Sequence, residues 1–115
     1  MNAMTIDLNI EKSRQDAVRI ADSILQEKLG IIEGAMKLTR IGHELLNDDI
    51  WDDKDFSVLA ILDSETDHLP VGEERRLWDP LALAGKNKEI AEIENEAREK
   101  VIIACRSICN RFRPA

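Results

Sequence analysis

The sequence is short of the residues that punctuate and stiffen small β-proteins. It has no tyrosine, two tryptophans, two phenylalanines, five glycines and three prolines in 115 residues. Sandwiches and barrels need frequent turn signals, so this shortage argues against them. Two cysteines, Cys105 and Cys109, make no disulfide framework. No apolar run approaches the roughly 20 residues that span a bilayer, so no membrane association is expected. Met1 to Asp7 lacks a basic stretch followed by an apolar one. No signal peptide is expected, and the expected location is the cytoplasm.

What the chain does have is aliphatic and charged. Hydrophobic residues make up 43% and charged residues 34%, a composition that fits a helical globule with one core. The length suits a single domain over residues 1–115, with 1–9 expected to be flexible. The expected fold class is all-α, a bundle of four to five helices with a long C-terminal helix.

Apolar periodicity places the elements. Ala17, Ala21, Ile24 and Leu25 form a stripe in a helix over about Lys12–Lys28. Gly30 then interrupts it, either as a C-terminal cap or as a tolerated glycine inside one longer helix, and a break is expected. A second helix, about Ile31–Leu46, aligns Ile31, Ala35, Leu38, Gly42 and Leu45. Gly34 and Gly42 on it allow close approach of a neighbour. Residues 47–55 read as an acidic loop. Residues 56–62 suit a strand or a helix equally, but one strand would leave its backbone groups unpaired. Helix is therefore expected, with Asp55 as N-cap. A turn at His68–Gly72 and a short helix over Glu73–Trp78 follow. Asp79-Pro80 opens another short helix that ends near Gly85. The last helix, Asn87–Phe112, carries Ile90, Ile93, Ala97, Val101, Ala104, Ile108 and Phe112 on one face. Cys105 and Cys109 widen that face and read as core.

The net charge is −7, which weighs against binding nucleic acid. Its distribution is uneven. Between Glu44 and Asp67, nine carboxylates face Lys54 alone, giving −8 for that stretch and leaving the remainder at +1. The C-terminal stretch is basic, with Arg98, Lys100, Arg106, Arg111 and Arg113 against Glu99. The acidic stretch is either a solvated loop or a docking surface for a basic partner. Trp51, flanked by Asp49, Asp52 and Asp53, either anchors such an interface or folds back over the core.

Catalytic readings find less support. A calcium loop needs a central glycine and alternating ligands, and Asp48–Asp55 puts Ile50 and Trp51 where ligands belong. His43, Glu44, Asp67 and His68 form the best metal-hydrolase set, although His43-Glu44 does not continue into an HExxH pattern. Glu89, Glu92, Glu96 and Glu99 invite comparison with helical nucleotide pyrophosphohydrolases, but the second acidic helix motif is missing.

Asp63-Ser64-Glu65-Thr66-Asp67-His68-Leu69-Pro70-Val71-Gly72, followed by Arg75 or Arg76 and Trp78, resembles a signature of small uncharacterised bacterial proteins. Ala104-Cys105-Arg106 adds to that resemblance, which implies no activity. A small acidic helical domain is also similar in kind to immunity proteins of bacterial toxin systems, which neutralise a toxin by covering its active surface. The expected function is non-enzymatic binding without a cofactor, most concretely immunity-type inhibition of a basic toxin. The expected partner-binding residues are Asp48, Asp49, Trp51, Asp52, Asp53, Asp55, Glu65 and Asp67. The alternatives are the metal hydrolase and a homodimeric module joined through the last helix.

Overall fold

Helix α1 (Ala3–Leu25) and helix α2 (Ile31–Leu46) form an antiparallel hairpin. A 3-10 helix (Asn47–Asp52) leads into α3 (Phe56–Glu65), and a second (Gly72–Leu77) leads into α4 (Pro80–Phe112). These elements come from a computed structural model that describes residues 3–113, with side chains from Asn9 onwards. There is no strand among the described residues. The directions alternate. Arg14 at the middle of α1 sits 6.0 Å from the ring of Phe112 at the end of α4, whereas Gly30 after α1 lies against Glu94, further back along α4. Phe56 at the start of α3 lies 6.4 Å from Phe112, and Thr66 at its other end faces Ala97. The result is an up-down-up-down four-helix bundle.

The core follows the apolar stripes. Ala17, Ala21 and Ile24 of α1, Ile31, Ala35 and Leu38 of α2, and Phe56, Leu59 and Ala60 of α3 meet Val101, Ala104, Cys105 and Ile108 of α4. Burial raises the Cys105 thiol to about 12 and the Cys109 thiol to about 11, so both stay protonated as packing groups.

Several boundaries differ from the sequence reading, each for a local reason. The first helix begins at Ala3 rather than Lys12; Met1 and Asn2 lie outside the described residues. Gly30 does not cap α1. Glu27 takes the positive φ of 61° in the turn, and Gly30 is the extended residue that opens α2. Its missing side chain leaves room for Glu94, whose Oε2 accepts from the Ile32 N–H at 3.2 Å. A carboxylate from α4 thus serves the N-terminus of α2. Residues 47–52 are a 3-10 helix, not an irregular loop. Gly85 does not end a helix, and α4 runs unbroken for 33 residues. At about 1.5 Å per residue that is roughly 50 Å, matching the 52 Å long dimension of the molecule. Asp79 caps it as expected, accepting from Leu81 and Ala82 N–H at 3.1 and 3.3 Å.

The glycines of α2 and α4 should respond oppositely to alanine. A Cβ at Gly42 would stand 2.7 Å from Phe56 Cδ1 and 2.8 Å from Ile50 Cδ1, so Gly42→Ala should lower stability by about 1–3 kcal/mol. Gly85 has nothing within 4 Å of that position, and Gly85→Ala should raise stability by up to about 1 kcal/mol. Thermal melts followed by far-UV circular dichroism test both, and equal signs would contradict this packing.

Candidate binding surface

The acidic stretch is presented by a buried anchor. Ile50 is 0% exposed, seated in the space that the missing side chain of Gly42 leaves free. A 3-10 helix has three residues per turn, so residues three apart lie over one another. With Ile50 facing inward, the rows Asp48–Trp51 and Asp49–Asp52 must face outward. All four are exposed, Trp51 at 54%. The indole therefore does not fold back over the core. Asp48, Asp49 and Asp52 make no ion pair among the described residues.

Asp53 and Asp55 play a different part. Arg111 on α4 grips Asp53 with both guanidinium arms, at 3.0 Å to Oδ1 and 2.8 Å to Oδ2, and reaches Asp55 Oδ2 at 2.9 Å. Ser107, one turn earlier, donates to the same Asp55 oxygen at 2.6 Å. The guanidinium also lies 4.9 Å from the Phe112 ring and 5.9 Å from the Phe56 ring. Asp53 Oδ1 accepts the backbone N–H groups of Asp55 and Phe56 at 2.9 and 3.0 Å. Asp53, not Asp55, is therefore the side chain that caps α3. Asp55 is only 4% exposed and cannot contribute an open carboxylate to a contact surface. Burial opposes ionisation of Asp53, but the Arg111 bond and the two backbone N–H bonds outweigh it and hold its carboxyl below the usual range. The bonds to Asp53 and then Asp55 raise Arg111 further above its ordinary value, against the effect of burial.

Glu65 and Asp67 lie elsewhere. Glu65 is the last of the ten residues of α3, about 14 Å along the helix from its first residue. The eight residues expected to share one surface thus divide into an exposed ridge of Asp48, Asp49, Trp51 and Asp52, an internal clasp of Asp53 and Asp55, and a distant pair. Near that pair, burial raises the Asp63 carboxyl, with Arg40 opposing and the Asp67 charge adding to the shift.

The metal set does not assemble. His68 Nε2 lies 2.8 Å from Glu89 Oε2, and Glu44 accepts from Ser13 Oγ at 3.0 Å. Among the described residues no three His, Cys, Asp or Glu side chains converge as a metal requires. His43, Glu44, Asp67 and His68 are all exposed, and His43 and Asp67 both bear on the Asp63 carboxyl. The His68–Glu89 contact holds the carboxyl of Glu89 below its usual range. Together with the bond from Arg75 to Asn87 Oδ1 at 2.7 Å, it fastens the Ser64–Trp78 stretch to α4. Leu69 and Pro70 are buried beneath it.

Sequence reasoning missed Glu94, Ser107 and Arg111. The spacing of Ser107 and Arg111 by four does put them on one helix face, but nothing local names their partner. Asp53 carries a readable signal. It stands three residues before the first α3 amide it caps, the same offset that Asp79 keeps from Ala82.

Loss of Arg111 should be costly, because it leaves the buried Asp55 carboxylate with only Ser107. A fully buried pair would cost about 3–5 kcal/mol when broken. The Arg111 side chain is 33% exposed, so about 2–3 kcal/mol is expected for Arg111→Met. The folded-state pKa of Asp53 lies below its unfolded value, so its contribution is complete above about pH 4 and is lost as pH falls through the folded value. Urea melts across the acid range should show stability falling in that window for the native chain. The Arg111→Met variant should show a shallower fall, and parallel curves would rule out the clasp as the source.

No helix among the described residues is long and apolar enough to cross a membrane. No curated protein and no solved structure matches the chain. The model of a family described as "Protein of unknown function (DUF2489)" matches residues 2–108, and the chain belongs to that uncharacterised family.

Proposed function

We propose that the protein is a non-enzymatic binding module whose ridge of Asp48, Asp49, Trp51 and Asp52 docks a basic protein. The observation that carries this reading is the 54% exposure of Trp51 among carboxylates that make no ion pair among the described residues. A large aromatic held out in solvent gains most when a partner covers it, and tryptophan is a common interface anchor. The surrounding charge steers a basic partner toward it over about a Debye length, 10 Å at moderate salt. The mount is rigid, since Ile50 and the Arg111 clasp fix the turn from inside, so little ordering entropy is lost on binding.

In its most concrete form the partner is a bacterial toxin with a basic active surface, and the protein is its cytoplasmic immunity-type inhibitor. Likeness in kind to immunity proteins supports this form. The Asp63–Gly72 stretch is, on the same reading, a family signature whose work is structural, since His68 ties it to Glu89 of α4 and Leu69 and Pro70 are buried.

The test combines kinetics with stability. Asp48→Asn, Asp49→Asn and Asp52→Asn together should slow association with the partner by about tenfold or more at low salt and flatten its salt dependence. Trp51→Ala should chiefly speed dissociation, and neither change should lower Tm. In a Trp78→Phe background, Trp51 emission should shift to shorter wavelength on binding. An unaltered association rate in the triple variant would remove the ridge as the docking site. Growth protection of cells expressing a basic toxin encoded beside the gene tests the immunity form separately.

A further inference from the structure

The outer face of α4 carries a charge pattern that complements itself when the helix is reversed. Flanked by α1 and α3, this helix leaves Asn95, Glu99, Ile103, Arg106 and Asn110 exposed. These positions follow one another at three or four residues and so share one face. Ile103 is 59% exposed, with the half-buried Ile102 beside it. A shallow groove of about 530 Å³ runs along this face, lined by Asn95, Arg98, Glu99, Ile102, Ile103 and Arg106. Glu99 and Arg106 make no ion pair among the described residues.

We infer that this face is a seam for a second copy of the chain, packed antiparallel about a two-fold axis between Ile102 and Ile103. That register sets Ile102 against the partner's Ile103, Glu99 against the partner's Arg106, and Asn95 against the partner's Asn110. Each contact occurs twice, as an isologous interface requires. A parallel arrangement would set Glu99 on the partner's Glu99 and Arg106 on the partner's Arg106, which repel. A uniformly basic partner would be repelled by Arg98 and Arg106 and a uniformly acidic one by Glu99, so the face fits its own reverse better than either. Exposed ion pairs contribute little each, so the dimer is concentration-dependent and the isoleucines supply its core. The seam shares no residue with the Trp51 ridge.

Sedimentation equilibrium from micromolar to near-millimolar protein tests this. The native chain should pass from monomer to dimer. Glu99→Arg and Arg106→Glu should each remain monomeric with unchanged circular dichroism. An equimolar mixture of the two variants should dimerise, because each then meets opposite charge at both ends of the seam, and the double variant should dimerise on its own. A native chain that stays monomeric, single variants that dimerise like it, or a mixture that fails to associate would overturn the inference.

Discussion

The contact of Arg111 with Asp53 and Asp55 is the constraint on which the arrangement of the molecule turns. One guanidinium joins the last turn of α4 to the entry of α3, fixes the capping carboxylate of that helix and stacks near two phenylalanine rings. These roles cooperate because the carboxylates are mostly covered while the guanidinium is only partly exposed, and charged bonds strengthen as water is withdrawn. The Asp55 carboxylate is tolerable inside only because Ser107 and Arg111 both reach it. That dependence keeps the 3-10 turn in one place.

A fixed turn has consequences for the surface. Ile50 pulls inward against the gap at Gly42, and the three-residue period then sends Asp48, Asp49, Trp51 and Asp52 outward. The acidity of this segment is thereby divided: two carboxylates hold the fold, and those of the ridge are exposed to solvent. A similar economy governs the other end of the bundle. Glu94 caps α2 across the gap at Gly30, while His68 and Arg75 fasten the connecting stretch to the part of α4 that projects beyond the core.

That projection shapes the surface of α4. Only its C-terminal half is clasped by α1 and α3, where Val101, Ala104, Cys105, Ile108 and Cys109 are buried. Ile90, Ile93 and Ala97 on the same stripe are half-covered. A helix of this length within a small bundle keeps a long face in solvent, and the order of acid before base along it suits a reversed copy.

The apolar stripes and the scarcity of turn residues determined by themselves that the chain is an all-helical bundle ending in a long helix. Helical periodicity is a local property, so it can be read along the chain without knowledge of neighbours. The division of the acidic segment was not legible, because all its aspartates look alike in sequence. Only tertiary packing decided that Asp53 and Asp55 face Arg111, more than fifty residues away, while Asp48, Asp49 and Asp52 do not. The same holds for the His43, Glu44, Asp67 and His68 set, which proximity of residue types suggested and packing separated. Local spacing sets which face of a helix a side chain occupies; the partner it meets there depends on long-range geometry.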